Sequence, residues 1–257
     1  MLKLIKKAFW FPFSSKNQIE KFQKEIRDIE WDSFKQYITP KASFLDVGCG
    51  SGDNMNRANQ ELGCVVKGID PSPGSHGVGR FSAKKITYPN IVQGSAEKIP
   101  YNDQEFDVVF CSHVLEHVES ESKSLNEINR VLKKDGTLII GMPTASMALI
   151  AIFSHYIFTT HVNLLFFIKS IGKKEMIARF INIFIPASHS IPNHKYAFYD
   201  LHHYRIKNWK KTVAEKFIIQ EIITPCLYPY PDFTPWFPKI RMKGISSSVF
   251  FVCKKKN

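Results

Sequence analysis

The stretch Phe44 to Asn54, FLDVGCGSGDN, is an apolar run that breaks into three glycines, at 48, 50 and 52, and resumes in residues able to start a helix. Lacking Cβ atoms, the glycines let the chain turn with positive φ and bring its backbone close to a ligand. The turn can then aim amide N–H groups and a helix N-terminus at a carboxylate. The spacing is not that of a dinucleotide loop, which needs a glycine three positions beyond the second one, where this chain has Asp53. Nor does Gly-Lys-Ser/Thr follow, as a nucleoside-triphosphate loop requires. Eighteen residues after Gly52, the run Val65 to Ile69 ends in Asp70, whose carboxylate can accept hydrogen bonds from both ribose hydroxyls of an adenosine. A glycine turn that only connects two elements, or an Asp that only opens the turn Asp70-Pro71-Ser72, is the plain reading of either signal alone. The pair, in this order, is far more specific.

Outward from this turn, Ser43 to Val47, Val65 to Ile69, Asp107 to Cys111 and Thr137 to Met142 are short apolar runs separated by helix-length segments, with Asn90 to Gln93 a shorter strand. Alternating strands and helices imply a parallel sheet with right-handed crossovers. The spacing predicts an amphipathic helix over Ile19 to Ile38, ended by Pro40, and a second over Ser120 to Lys133, closed by Asp135-Gly136. Phe217 to Ile223 and Ser247 to Val252 are the last strand candidates.

The 257 residues can bury a sizeable core, and 44% hydrophobic with 23% charged residues is a globular composition. A formal charge of +12 favours anionic partners. Five widely spaced cysteines without a C-x-x-C pair point to a reducing cytoplasm rather than a zinc or disulfide framework. The N-terminal MLKLIKKAFWFPF sets basic residues beside an apolar patch but lacks the long apolar core of a signal peptide; it packs on its own domain or rests on a membrane or partner. Gly136 to Ile168 contains no Asp, Glu, Lys or Arg. Pro143 and polar residues such as Ser154, His155, Thr160 and Asn163 would be costly in a membrane span, so a buried or membrane-touching helical insertion is the better reading.

LDVGCGSG, GIDPS, GSAEKIP, FDVVFCSHVLEHV and LKKDGTLIIGMP occur in that order between Phe44 and Met142. This stretch resembles the class I S-adenosylmethionine-dependent methyltransferases, including sugar and small-molecule O-methyltransferases. The resemblance implies a Rossmann-like, doubly wound α/β fold of seven strands in the order 3-2-1-4-5-7-6, the last antiparallel, with a helical insertion after strand 5. It divides the chain into an N-terminal helical segment (1–40), a cofactor core (41–143), an acceptor-binding insertion (144–212) and C-terminal strands (213–257). It implies S-adenosylmethionine as cofactor, with Asp46, Gly48, Cys49, Gly50 and Gly52 around the methionine end. Asp70 and Pro71 would sit at the ribose and adenine, Ser95, Ala96 and Glu97 beside the adenine, and Cys111, Ser112 and His113 along the floor. Where the family commonly has Asp-Ala against the adenine amino group, this chain has Ser95-Ala96.

Transfer to a hydroxyl needs alignment with the sulfonium and a base, and histidine titrates in the right range. His113 ranks first, followed by His203, His202 and His194; six of nine histidines fall between residues 151 and 203. For any single histidine a packing role is the simpler alternative. His113-Val-Leu-Glu116-His117 also fits the H-x-x-E-H pattern of zinc peptidases, but no third ligand is evident and no metal is expected. The insertion and the ending SSSVFFVCKK look like methyltransferases of bacterial polysaccharide pathways, which implies a nucleotide-linked sugar as acceptor. The alternatives are a lipid or quinone precursor at a membrane surface and a non-catalytic cofactor-binding protein. No nucleic-acid partner is expected, since no separate basic binding domain is evident.

Overall fold

The computed structural model describes residues 16–74, 90–156, 160–186, 188, 190, 196–228, 239–242 and 244–256. The apolar runs become strands β1 (Ser43–Val47), β2 (Val65–Asp70), β3 (Ile91–Gln93), β4 (Phe106–Ser112), β5 (Leu132–Pro143), β6 (Phe217–Ile223) and β7 (Ser248–Lys255). They form one sheet in the order β3-β2-β1-β4-β5-β7-β6, with the first five strands parallel and β7 antiparallel to both β5 and β6. This is the expected strand order with the expected reversed strand. The helices are α1 (Lys16–Phe34), α2 (Asp53–Leu62), α3 (Glu121–Val131), α4 (Ala145–Ser154), α5 (Thr160–Ser170), α6 (Met176–Phe184), α7 (Ala197–His203) and α8 (Ile206–Ala214).

Strand alternation divides the core into two faces. Phe44, Val108, Phe110, Ile139 and Phe250 point to one side, where α1 lies through Trp31 and Phe34. The Phe34 ring sits 5.1 Å from that of Phe110 and 4.8 Å from that of Phe250. Leu45, Val109, Leu138, Ile140 and Phe251 point to the other side, against α3 and α8 through Leu125, Ile128, Trp209 and Val213. Trp209 meets its polar need there by donating Nε1–H to the Pro143 carbonyl at 2.9 Å. Gly141 on β5 permits the close approach of β7, since a Cβ there would lie 2.4 Å from the Phe250 ring.

Two elements depart most from the sequence reading. The first helix begins at Lys16 and yields after Phe34 to a single 3-10 turn, Lys35–Tyr37, because the chain must be extended by Ile38 to reach β1. The fifth strand begins at Leu132 rather than Thr137. Leu132 leaves the helix with ψ 135° and pairs with Phe106, after which the register shifts and Thr137 faces Val108. The charged residues expected to finish the helix thus lie in the strand's shifted segment, where Lys133 pairs with Asp107 at 2.8 Å.

Candidate functional site

The C-terminal ends of β1, β2 and β4 open into one cavity of about 600 Å³, the crevice position at which open α/β sheets bind ligands. The glycine turn takes the conformation that its sequence demands: φ is +74° at Gly48, +54° at Gly50 and +83° at Gly52, the last residue before α2. At Gly48 two constraints coincide, because a Cβ would also fall 2.2 Å from Cγ2 of Val114, which covers the turn from β4. Asp70, at the end of β2, is buried and fastens the turn by accepting hydrogen bonds from Gly50 N and Ser72 N, each at 2.8 Å.

Beneath the turn lies Asp46, 2% exposed, with Oδ2 left without a hydrogen-bond partner. Burial, helped by the nearby charges of Asp70 and Asp53, pushes its carboxyl up to about 8. Burial, with Asp46 and Asp70 close by, likewise pushes the Cys49 thiol up, so it meets the cavity as a neutral group. An orphaned acid oxygen and a turn too tight for a side chain fit a ligand that carries both an ammonium and a carboxylate, as the methionine end of the expected cofactor does.

Ser95, Ala96 and Glu97 border the cavity beside Asp70 and Pro71. The Ser95 hydroxyl accepts from Glu97 N at 3.2 Å, and the Glu97 carboxylate accepts from Ser120 N at 3.0 Å, so both side chains brace the loop as well as lining it. Ser112 and His113 line the floor, whereas Cys111 does not. Strand alternation sends Cys111 into the opposite core, while Phe110 and Ser112 face the cavity.

His113 is the histidine that the structure builds around. It follows β4 in a left-handed conformation, φ +56°, which turns its ring into the cavity wall. Nδ1 lies 3.3 Å from Glu116 Oε1 and Nε2 lies 3.2 Å from Ser248 Oγ. Glu116 is enclosed and has no hydrogen bond of ordinary geometry to either oxygen. Its burial alone would raise its pKa, yet the contact and charge of His113, then His117, hold it below the ordinary carboxylate range. Ser248 in turn donates to Glu30, and Tyr228 OH is 3.2 Å from Glu30 Oε1 and 2.8 Å from Ser248 Oγ. Glu30 is 2% exposed; burial opposes its charge, but Arg27, His113 and Ser248 keep its pKa lowered.

His202 and His203 are not brought to the cavity. His202 is exposed, while His203 Nε2 is 3.0 Å from Glu121 Oε1 on α3 and its ring meets that of Trp209 edge-on at 4.8 Å. His194 lies outside the described residues. Among the described residues no group of three or more His, Cys, Asp or Glu side chains could hold a metal ion. Sequence reasoning missed Glu30, Trp31, Phe34 and Phe250, which line the cavity's aromatic end together with Arg27 and Phe110.

This sheet order, with a glycine turn after β1 and an acid at the end of β2, is the α/β methyltransferase fold. Residues 45–140 match the family described as "Methyltransferase domain". The chain is 30% identical over 112 residues to a ubiquinone/menaquinone biosynthesis C-methyltransferase of Campylobacter jejuni, covering 40% of this chain and 46% of the relative. It is 36% identical over 114 residues to a demethylmenaquinone methyltransferase of Shouchella clausii, covering 42% and 48%. The chain thus spans about half the length of the curated relatives it matches. Among solved structures, a putative S-adenosylmethionine-dependent methyltransferase from Listeria monocytogenes superposes with a TM-score of 0.55 at 20% identity, over 90% of this chain and 98% of that one. The fold is common to both.

Proposed function

We propose that this chain transfers a methyl group from S-adenosylmethionine to a hydroxylated small molecule, with His113 taking the acceptor's proton. The observation that carries this is the placement of the His113 ring on the cavity wall between two buried acids, Glu116 directly and Glu30 through Ser248. When bound, the cofactor supplies a methyl group on a positively charged sulfur that departs as a neutral thioether, so the protein need only align, deprotonate and exclude water. Asp46 would face the cofactor's ammonium and Asp70 its ribose hydroxyls. With the neutral ring's one hydrogen on Nδ1 towards Glu116, Nε2 leaves Ser248 and its lone pair accepts the acceptor hydroxyl's proton, and the two acids stabilise the imidazolium that results.

The aromatic end of the cavity, Trp31, Phe34, Phe110 and Phe250, suits a flat ring, and the curated relatives named above are methyltransferases of quinone biosynthesis. A phenolic or quinol precursor is therefore the acceptor these observations favour over a sugar. Deprotonating such a ring activates both its oxygen and the carbon beside it, so the same base serves either site. The nucleotide-linked sugar remains the second reading, supported by the charge of +12, which suits a diphosphate. Labelled methyl incorporation across hydroxylated quinone precursors and nucleotide sugars tests this. Transfer to a ring acceptor that His113→Ala slows by about 10²-fold or more, with cofactor binding intact, is expected; transfer unaffected by that change would remove the proposed base.

A further inference from the structure

Helices α4, α5 and α6 each carry a second apolar stripe that faces away from the core. On α4 it is Leu149, Phe153 and Tyr156 just beyond its end; on α5 it is Leu164, Ile168 and Ile171 just beyond its end. On α6 it is Ile177, Phe180 and Phe184, with Ile177 68% exposed. Each set repeats at three- and four-residue spacing, so each exposed apolar face is a designed stripe rather than scattered residues. The inward face is apolar as well, through Met147, Ala148, Ile152 and Ile183.

The stripes adjoin one another. Tyr156 OH donates to the Phe184 carbonyl at 2.7 Å, joining the ends of α4 and α6, and the Phe167 and Phe180 rings lie 5.3 Å apart across α5 and α6. Water-facing apolar surface of this extent marks an interaction site. Its charge says of what kind: between Thr144 and Pro186 the acids number one, Glu175, against Lys169, Lys173, Lys174 and Arg179. All four basic residues are exposed, and Arg179 reaches over the Phe166 ring at 5.4 Å. Apolar residues flanked by long basic side chains match the boundary between acyl chains and anionic headgroups. No helix among the described residues is long and apolar enough to cross a bilayer, so the face would lie on one.

We infer that α4, α5 and α6 form a docking face for an anionic lipid bilayer, into which Phe153, Ile168, Ile177 and Phe180 insert. The test uses the full chain and vesicles of phosphatidylcholine with or without about a third phosphatidylglycerol. At low salt the anionic vesicles should retain about tenfold more protein than the neutral ones. Ile177→Asp with Phe180→Asp should abolish that retention while the thermal midpoint and cofactor affinity stay unchanged. Lys173→Glu with Lys174→Glu should erase the preference for anionic lipid. No retention by either lipid, or retention indifferent to both double variants, overturns the inference. So does a lipid-free dimer that Ile177→Asp with Phe180→Asp dissolves, because a second copy would then cover the face.

Discussion

His113 and Ser248 stand 135 positions apart in the chain, yet His113 Nε2 and Ser248 Oγ are 3.2 Å apart in space, and Ser248 continues the chain of contacts to the buried Glu30. Three elements meet there: the end of β4, the start of β7 and the inner face of α1. The residue proposed as base is thus held from three elements, and its supports should be separable by kinetics.

Replacing His113 with Ala should lower kcat by about 10²- to 10⁴-fold with little change in cofactor affinity. Ser248→Ala and Glu30→Gln should each cost less, about tenfold in kcat, with cofactor affinity unchanged. Steady-state rates with thermal midpoints check this; a purely structural role would lower the midpoint and raise KM and lower kcat together, whereas a positioning role lowers kcat at an unchanged midpoint.

Asp46 gives a pH dependence of known sign. Its carboxyl titrates near 8 in the folded chain against 3.8 as its ordinary value, so folding retains a proton that the unfolded chain has lost. The resulting stability is fully present below about pH 4 and is lost as pH rises towards 8. Asp46→Asn should flatten the thermal midpoint across that window and raise it at pH 8. The cofactor's ammonium favours the ionised acid, so binding at pH 7 should release a proton in the native chain and none in the variant. Calorimetry in buffers of differing ionisation enthalpy reads that proton directly.

Gly48→Ala combines a left-handed backbone with a methyl group 2.2 Å from Val114 Cγ2. Its expected cost is about 1–3 kcal/mol in stability, with cofactor affinity falling in parallel. Adding Val114→Ala should relieve the collision but not the backbone strain, so titration calorimetry on the double variant should show partial recovery.

Phe34→Ala would remove the ring that seats α1 on Phe110 and Phe250. Denaturant titration should show a loss of about 3–5 kcal/mol. Because Phe34 also lines the cavity, an aromatic acceptor should lose apparent affinity as well.

How far the sequence could be read depended on whether a feature was local. Strands Ser43–Val47 and Phe217–Ile223 fall where their apolar runs placed them, and Gly48, Gly50, Asp70 and Ser95 to Glu97 line one cavity, whereas Gly52 does not. The strand order came from resemblance, since nothing local says that β7 inserts between β5 and β6. Glu30 was missed although a clue was present: Phe22, Ile26, Glu30 and Phe34 are four apart, so an acid occupies a step of the apolar stripe on α1. Its partners Ser248 and Tyr228 come from the distant C-terminal part and could not have been paired with it by pattern. His203 differs in the other direction: clustering suggested a place at the site, whereas the ring meets Trp209 and reaches Glu121.

The interior place of β7 bears on how the protein is made. Until a ribosome has synthesised residues 248–255, β5 presents a bare apolar margin and β6 has no neighbour in the sheet. A nascent or truncated polypeptide stopped before that point would expose a strand edge open to mispairing with other chains. It would also lack the hydroxyl at 248 that contacts His113 and Glu30, so one segment both closes the sheet and completes that buried cluster.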